Sequence, residues 1–349
     1  MDVRNIALTT AATLLALVAG IAVAGYLTVP NPQLVIEGGD FIAFDPEVGM
    51  VARPSHHARR IEGATPNRPP LIYDIYTDDR GARVDGPTRQ MSPARAEIVT
   101  IGCSFSFGHP IANEDTYAAR VGRDLGVANS NFALVGYGTT QSLLMLKRNR
   151  DLAPKLVIYG FIDTHIDRNV EACAPAYHPF CMDVAHVGWD DGGPPRIVPP
   201  LSDGVSRAHV HLAGDYLTPW TWLAHGVDVI WGRLEYAWYR SRIPDHTRKE
   251  EAFNFLMRGL EKTVADMGAT LLVVYIPANY QAAPAQLARN IGSTRLLDLT
   301  AVFVRDREAG GEPLYVVDDG HPTAHAHALI AEEIERYIRR EGLLSGPAR

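Results

Sequence analysis

The sequence EIVTIGCSFSFG occupies residues Glu97–Gly108 and decides the class of fold. Its short apolar run ends at Gly102, which is typical of a strand buried on both faces. Gly102 and Gly108 frame a tight turn that contains Ser104, and residues 115–125 then have the apolar spacing of a helix. A serine in a sharp turn between a strand and a helix is where such folds display a nucleophile, so Ser104 is the candidate.

Further segments repeat this strand-and-helix pattern. Strands are predicted at Leu156–Gly160 and Thr270–Ile276, each preceded by a helical segment near residues 140–149 and 248–267. A last amphipathic helix is predicted over Ala324–Arg340. Strands that alternate with helices indicate a parallel sheet, of about five strands, covered by helices on both faces. Ligand chemistry then belongs at the C-terminal ends of the strands.

A candidate base lies near the C-terminus, in the sequence VVDDGHP over Val316–Pro322. An aspartate two or three positions before a histidine can hold the ring in the tautomer that a general base needs, so Asp318 and Asp319 are both candidate partners of His321. Two other interpretations are a solvated cluster at the start of a helix and a metal site built from His321, His325 and His327. No carboxylates accompany these histidines as a ligand set, which argues against the metal.

Taken together, these segments resemble the SGNH (GDSL-like) hydrolases. The resemblance rests on the Gly-x-Ser-Phe-x-Phe-Gly sequence at 102–108, on NFALVGYGTTQ at 131–141, and on Asp-Gly-His-Pro at 319–322. It extends from Phe44 to about Ile338, because FDPEVG at 44–49 and YTDDRGAR at 76–83 resemble the lead-in of membrane-anchored bacterial members. The family's fold is a flavodoxin-like three-layer α/β/α sandwich with a central parallel sheet.

The resemblance also implies roles for individual residues. Ser104 would be the nucleophile and His321 the base, with Asp319, in preference to Asp318, orienting the His321 ring. The backbone N–H groups of Ser104 and Gly136 would bind the oxyanion. No cofactor and no metal ion is expected.

The third sequence block departs from the family. The sequence LVIYGFIDTHIDRN at 156–169 stands where the family has an Asn-Asp pair whose Asn donates a hydrogen bond to the oxyanion. Counted from Gly160, that pair falls on Thr164 and His165, and we prefer His165 as the donor because of its longer reach. Loss of one oxyanion donor costs about two to three orders of magnitude in rate, so weakened catalysis is a competing prediction. Cys103, where the family usually has Asp, only supports the turn.

The N-terminus contains an uncharged apolar run, IALTTAATLLALVAGIAVA, over Ile6–Ala24. Such a segment is long enough to cross a bilayer as a helix. It is either an uncleaved anchor or a signal peptide cleaved after Ala22-Val23-Ala24. The anchor is favoured because the run exceeds the roughly 7 to 15 residues of a signal-peptide core. Both interpretations place the domain outside the cytoplasm, and Arg4 before the run agrees with that orientation.

The remaining chain is divided accordingly. After an anchor or signal segment over residues 1–30, we expect a lead-in over 31–95 that wraps the domain. The hydrolase-like domain should cover 96–342, with an insertion at about 171–244 and a tail over 343–349. The aromatic stretch Trp220–Tyr239 in the insertion either lines an acyl or sugar groove or serves packing. In an exported domain, Cys173 and Cys181 are candidates for a disulfide, which would leave Cys103 over.

Composition limits the classes of function. The 349 residues are 46% hydrophobic and 21% charged, as in globular proteins, and the net charge of −7 excludes a phosphate-backbone binder. We therefore predict an extracytoplasmic serine esterase or O-acyltransferase. Its substrate would be an ester-bearing small molecule, glycan or lipid of the cell envelope, and its other partner the membrane. The alternative is a membrane-tethered binding or assembly protein that keeps the fold with little or no catalysis.

Overall fold

The computed structural model describes residues 3–27, 35–84, 86, 91–174, 182–190, 193–200, 219–241, 243–278, 283, 287 and 295–344. In chain order the strands are β1 Val35–Glu37, β2 Ile42–Asp45, β3 Gly49–Ala52, β4 His57–Glu62, β5 Leu71–Thr77, β6 Arg83–Val84, β7 Ile98–Gly102, β8 Asn129–Asn131, β9 Leu156–Phe161, β10 Cys173–Ala174, β11 Met182–Asp183, β12 His186–Trp189, β13 Pro195–Val198, β14 Thr270–Tyr275 and β15 Arg295–Asp298. The helices are α1 Val3–Leu27, α2 Ser104–Phe107, α3 Tyr117–Leu125, α4 Thr139–Arg148, α5 His165–Arg168, α6 Pro219–Arg240, α7 His246–Asp266, α8 Thr300–Glu308 and α9 Ala324–Glu341.

The centre of the fold is a mixed sheet with a parallel core. Five neighbouring strands, in the order β8, β7, β9, β14 and β15, are parallel, and helices pack on the sheet as α3 with α9 and as α4 with α7. All residues of β7 and β9 are buried, as their continuous apolar runs predict. The predicted α/β fold with about five parallel strands is confirmed.

The lead-in does more than wrap the domain. Its strands β1, β4, β5 and β6 extend the sheet from β8 as an antiparallel half, which gives nine strands in the order β1-β4-β5-β6-β8-β7-β9-β14-β15. Strand β5 has the sequence LIYDIYT, in which three alternate residues, Tyr73, Ile75 and Thr77, are buried. The surrounding Arg, Asp and Pro residues obscure that alternation in the sequence.

Helix α1 is exposed along most of its length and stays outside the core, as predicted for the segment that begins at Ile6. Its stretch Leu8–Leu27 has a mean hydropathy of 2.0 and is the one helix in the described part of the chain that is long and apolar enough to cross a membrane. A signal sequence has the same properties. The predicted end of this helix, Val29, lies outside the described residues.

The insertion contains two short hairpins, β10–β11 and β12–β13, followed by α6. Cys173 in β10 is disulfide-bonded, whereas Cys103 is free and buried. Cys181, the predicted partner of Cys173, lies outside the described residues. The aromatic stretch Trp220–Tyr239 forms α6, which packs against α1.

Candidate active site

The turn that carries Ser104 is fixed by glycines at both of its ends. Gly102 ends β7 with φ of 146°, and a Cβ at this position would collide with Ser106 Oγ and the Gly160 carbonyl oxygen. Helix α2 begins at Ser104 and stops at Gly108, whose left-handed backbone (φ 92°) directs its N–H to the Ser104 carbonyl oxygen at 2.9 Å. Ser104 therefore lies just beyond the C-terminal end of β7, as predicted.

The lead-in holds the loop that follows this turn. The buried Arg83 guanidinium donates to the carbonyl oxygens of Phe107, Gly108 and Ile111, each at 2.7 Å. Burial lowers the pKa of Arg83 to about 10, so the guanidinium remains charged at neutral pH. Since a charged donor forms strong hydrogen bonds to carbonyl oxygens, Arg83 fixes the chain leaving Ser104 to the antiparallel half of the sheet.

His321 is held by a turn that closes immediately before α9. The Val316 N–H donates to the His321 carbonyl oxygen and the Gly320 N–H donates to the Val316 carbonyl oxygen, both at 2.8 Å. The turn needs left-handed backbone at Asp318 (φ 62°) and Gly320 (φ 82°), residue types that adopt this conformation more readily than most. The histidine is thereby presented to the serine turn from a distant part of the sequence.

Ser104, His321 and Asp319 form a continuous hydrogen-bonded chain. Ser104 Oγ lies 2.9 Å from His321 Nε2, and His321 Nδ1 lies 2.8 Å from Asp319 Oδ1. The same Asp319 oxygen accepts the His321 backbone N–H at 3.1 Å. With its proton on Nδ1 directed to the carboxylate, His321 presents Nε2 as the acceptor for the Ser104 hydroxyl proton. The contact expected between Ser104 and His321 is present.

The structure corrects the alternative choice of Asp318 as the partner of His321. Asp318 Oδ2 accepts from Thr65 Oγ1 at 2.6 Å and from Asn67 Nδ2 at 3.3 Å. The left-handed backbone of Asp318 turns its side chain to the lead-in, while Asp319 faces the imidazole. Asp318 therefore ties the histidine turn to the loop at residues 65–67.

A second histidine lies against Asp319. His109 Nε2 is 3.5 Å from Asp319 Oδ2, and the His109 and His321 ring centroids are 4.5 Å apart. His109 Nδ1 lies 2.6 Å from the Tyr73 hydroxyl, and burial lowers the pKa of His109 to about 4. A neutral ring whose Nδ1 accepts the Tyr73 proton carries its own proton on Nε2, which lies 3.5 Å from Asp319 Oδ2 and 3.7 Å from Glu62 Oε1.

This environment keeps Asp319 ionised. Burial by itself raises the pKa of Asp319, but hydrogen bonds from His109 and His321 outweigh burial and hold that pKa well below its usual range. The charge that orients the His321 ring is thus maintained at all pH values where an esterase is normally assayed. His109 follows the serine motif directly, yet no spacing rule marks it, and sequence analysis missed it.

We expect His109→Ala to lower kcat for ester hydrolysis roughly tenfold with KM unchanged, since a hydrogen bond to a charged group contributes about 1.5 kcal/mol. The conservative variant His109→Gln keeps an N–H donor and should recover most of the loss. Steady-state kinetics of the two variants test this positioning role. Equal losses in both variants would show that His109 serves only packing.

Two of the predicted oxyanion donors are available. The Leu134 N–H donates to the Gly102 carbonyl oxygen at 3.2 Å, which holds the loop bearing Gly136 beside the end of β7. Gly136 is buried and has φ of 83°, which favours glycine. Within the described part of the chain, the backbone N–H groups of Ser104 and Gly136 have no hydrogen-bond acceptor. Both can therefore donate to a developing oxyanion.

The structure corrects the preference for His165 as the third donor. The His165 side chain is fully buried, its Nδ1 lies 2.8 Å from the Tyr159 hydroxyl, and its ring lies 5.3 Å from that of Phe161. Burial also lowers the pKa of His165 well below its usual value. Thr164 is exposed, beyond the C-terminal end of β9, whose Gly160 pairs with Gly102. Thr164 stays the candidate at this position.

We expect Thr164→Asn to raise kcat for ester hydrolysis at least roughly tenfold, because a missing oxyanion donor costs two to three orders of magnitude. His165→Asn is the matched comparison, and it should bring no gain because its side chain would lie in the core. Initial rates of aryl ester hydrolysis by the two variants and the wild type test this prediction. An unchanged rate in Thr164→Asn would place the third donor elsewhere.

The histidines proposed as metal ligands do not come together. His325 Nε2 lies 3.1 Å from Asp306 Oδ2, and His327 Nδ1 accepts the Tyr117 backbone N–H at 3.0 Å. In the described part of the chain, one group of possible ligand atoms lies within 4.8 Å, from His109, Asp319 and His321. These atoms are already engaged with one another, and a metal on His321 would compete with its bonds to Asp319 or Ser104.

Comparison with known proteins gives structural likenesses only. No family model and no curated protein matches the sequence. A two-domain esterase active on acetylated mannans is 14% identical, with 73% of this chain and 52% of that chain covered and a TM-score of 0.39. An acetyl xylan esterase from Butyrivibrio proteoclasticus is 12% identical over 73% of this chain and 67% of that chain, with a TM-score of 0.36.

A member of the lipolytic protein G-D-S-L family from Veillonella parvula DSM 2008 is 8% identical, with 70% of this chain and 98% of that chain covered and a TM-score of 0.36. The structural neighbours are thus SGNH/GDSL-family lipolytic proteins and carbohydrate esterases at low sequence identity. The protein itself has an α/β fold with a mostly parallel sheet core and an N-terminal apolar helix.

Proposed function

We propose that the protein is a serine ester hydrolase or O-acyltransferase that works through an acyl-enzyme on Ser104. The observation that carries the proposal is the chain from Ser104 Oγ to His321 Nε2, at 2.9 Å, and from His321 Nδ1 to Asp319, at 2.8 Å. Ser104 is only 3% exposed, so its immediate surroundings are largely dry. Electrostatic interactions with a developing charge are stronger in such a place than in water.

In the proposed mechanism, Ser104 Oγ attacks the ester carbonyl carbon while His321 Nε2 takes the hydroxyl proton. The backbone N–H groups of Ser104 and Gly136 stabilise the oxyanion. Collapse of the tetrahedral intermediate breaks the bond to the alcohol, which leaves with the proton held by His321. Water or a sugar hydroxyl then attacks the acyl-enzyme by the same route, with His321 again as base, and frees Ser104.

We propose an extracytoplasmic location for this chemistry. Helix α1 is apolar enough to anchor the chain in a membrane, and Cys173 is disulfide-bonded, which is typical of an oxidising compartment. An anchored esterase meets esters near the membrane surface, so the proposed substrates are ester groups of envelope carbohydrate or lipid.

Trapping of the acyl-enzyme tests the proposal. The purified protein is mixed with p-nitrophenyl acetate, the reaction is stopped with acid, and the protein is digested with a protease. The acetyl group is expected on the peptide that contains Ser104. Ser106→Ala is the matched control, because Ser106 is also buried in this turn but its Oγ has no hydrogen-bond partner within the described residues. This variant should be acetylated as before. Ester cleavage without an adduct on Ser104 would contradict the mechanism.

The alternative function is a membrane-tethered binding or assembly protein with weak or no catalysis. The substituted third block favours it, because Thr164 replaces an Asn donor and His165 is part of the core. Ester turnover distinguishes the binding protein from the enzyme. A binding protein would neither release p-nitrophenol above the uncatalysed rate nor gain activity in Thr164→Asn.

A further inference from the structure

We propose that Arg168 and Asn169, at the end of α5, are positioning residues for the oxyanion site. They hold the oxyanion loop, defined as residues 134–139, in the conformation in which the Gly136 N–H is available to the developing oxyanion. The third sequence block then acts on the oxyanion indirectly, through the loop that it fixes. The inference rests on the ester chemistry proposed for Ser104 and deepens it.

The oxyanion loop turns sharply at Gly136, which has φ of 83°. On the side that precedes Gly136, the Leu134 N–H donates to the Gly102 carbonyl oxygen at 3.2 Å, and the Tyr137 N–H closes the turn on the Leu134 carbonyl oxygen, also at 3.2 Å. Both distances are at the long end of the range for N–H to O hydrogen bonds. The loop therefore needs a second support on the side that follows Gly136.

Arg168 provides a bond on that side. Its Nη1 donates to the Tyr137 carbonyl oxygen at 3.0 Å, and Tyr137 directly follows Gly136 in the chain. Helix α5 and the loop also approach closely, because a Cβ at Gly138 would lie 3.1 Å from Arg168 Cβ. A hydrogen bond from a charged donor is stronger than one from a neutral donor. The guanidinium therefore restrains the peptide next to the Gly136 donor.

Asn169 holds the end of the loop. Its side chain is fully buried, its Oδ1 accepts the Thr139 backbone N–H at 2.8 Å, and its Nδ2 lies 3.1 Å from Thr139 Oγ1. Thr139 is the first residue of α4, where a backbone N–H has no acceptor within its own helix. A buried amide that is bonded through both its oxygen and its nitrogen fixes the start of α4, and with it the end of the loop.

His165, which is not an oxyanion donor, belongs to the same network. Its Nδ1 lies 2.8 Å from the Tyr159 hydroxyl, which lies 2.8 Å from Thr139 Oγ1. His165, Arg168 and Asn169 have the spacing i, i+3 and i+4, which places side chains on one face of a helical turn. That face of α5 contacts the oxyanion loop at Tyr137 and Thr139, directly or through Tyr159.

The experiment compares Arg168→Ala, Arg168→Lys and a matched control, Arg148→Ala, in the full-length chain. Arg148 is at the other end of α4, where it pairs with Asp45 at 2.9 Å and Glu47 at 2.8 Å. Steady-state hydrolysis of p-nitrophenyl acetate gives kcat and KM, and thermal unfolding verifies the fold. Phenylboronic acid forms a tetrahedral adduct with a nucleophilic serine oxygen, so its inhibition constant measures binding of a transition-state analogue.

We expect Arg168→Ala to lower kcat roughly tenfold with KM within about twofold, and to raise the inhibition constant of phenylboronic acid by a similar factor. A less restrained donor stabilises the tetrahedral state less, while binding of the planar ester changes little. Arg168→Lys keeps a charged N–H donor and should recover most of both losses, and Arg148→Ala should leave both values within about twofold.

A folded Arg168→Ala variant with wild-type kcat and wild-type affinity for phenylboronic acid would overturn the inference. So would a rise in KM without a fall in kcat, which would mean that Arg168 binds the ester, and so would equal losses in Arg168→Ala and Arg148→Ala. These outcomes leave ester hydrolysis by the wild type in place. A wild-type chain that neither hydrolyses the ester nor binds phenylboronic acid would overturn the proposed function and this inference together.

Discussion

His321→Ala is expected to lower kcat for ester hydrolysis by at least about 10,000-fold, since removal of the triad histidine in serine hydrolases has effects of this size or larger. The physical reason is that Ser104 Oγ has no other base within reach among the described residues: it lies 2.9 Å from His321 Nε2. Without that acceptor the hydroxyl remains protonated, and a neutral hydroxyl is a weak nucleophile. Residual turnover would come from the oxyanion donors.

His325→Ala is the matched control for this loss. His325 lies on α9, four residues after His321, and pairs with Asp306 at 3.1 Å. Its removal should change the free energy of unfolding slightly and leave kcat within about twofold, as is usual for a partly exposed pair. Steady-state hydrolysis of p-nitrophenyl acetate gives kcat for the two variants, and thermal unfolding gives their stability. If the two variants lost activity equally, His321 would have no special role.

Asp319→Asn is expected to lower kcat by about 10,000-fold, as for the corresponding change in other triads. An Asn amide removes the negative charge that stabilises protonated His321, and its N–H₂ group can force the ring into the tautomer with Nε2–H, which cannot accept the Ser104 proton. His109 Nε2, at 3.5 Å from the same carboxylate, would also lose its anionic acceptor.

The neighbouring aspartate provides the control. Asp318→Asn should keep kcat within a few-fold, because within the described residues the Asp318 carboxylate accepts from Thr65 and Asn67, and an Asn oxygen can accept the same bonds. Kinetics and thermal unfolding of the two variants separate chemistry from folding. Similar losses from both substitutions would mean that the turn at 316–321, and not Asp319, determines activity.

Much of the fold could be predicted because its strands are short, apolar and bounded by glycine. Strands β7, β9 and β14 are buried on both faces, and their continuous apolar sequences predict this burial. Strands β1, β4, β5 and β6 could not be predicted because they are short and because Arg, Asp and Pro residues obscure their alternation. Arg83 illustrates the difficulty: its buried guanidinium is satisfied by carbonyl oxygens about 25 residues later.

The parts of the candidate site that lie in short local motifs could be predicted from the sequence. Glycines indicate a turn in each of the segments that contain Ser104, Gly136 and His321. The two-residue spacing from Asp319 to His321 allows a direct contact. His109 and Tyr73 were missed, because their relation to Asp319 depends on how the lead-in folds against the serine turn. His165 was misjudged because chain spacing does not show whether a side chain faces the core or the solvent.

The central claim is that Ser104 is an activated nucleophile, and covalent labelling with a fluorophosphonate probe tests it without knowledge of the natural substrate. The full-length chain and the variants Ser104→Ala and Ser106→Ala are treated with probe, and the adduct is located by mass spectrometry. We expect one adduct on Ser104 in the wild type, the same adduct in Ser106→Ala, and none in Ser104→Ala. A wild-type chain that is folded and unlabelled, or labelling that persists in Ser104→Ala, would contradict it.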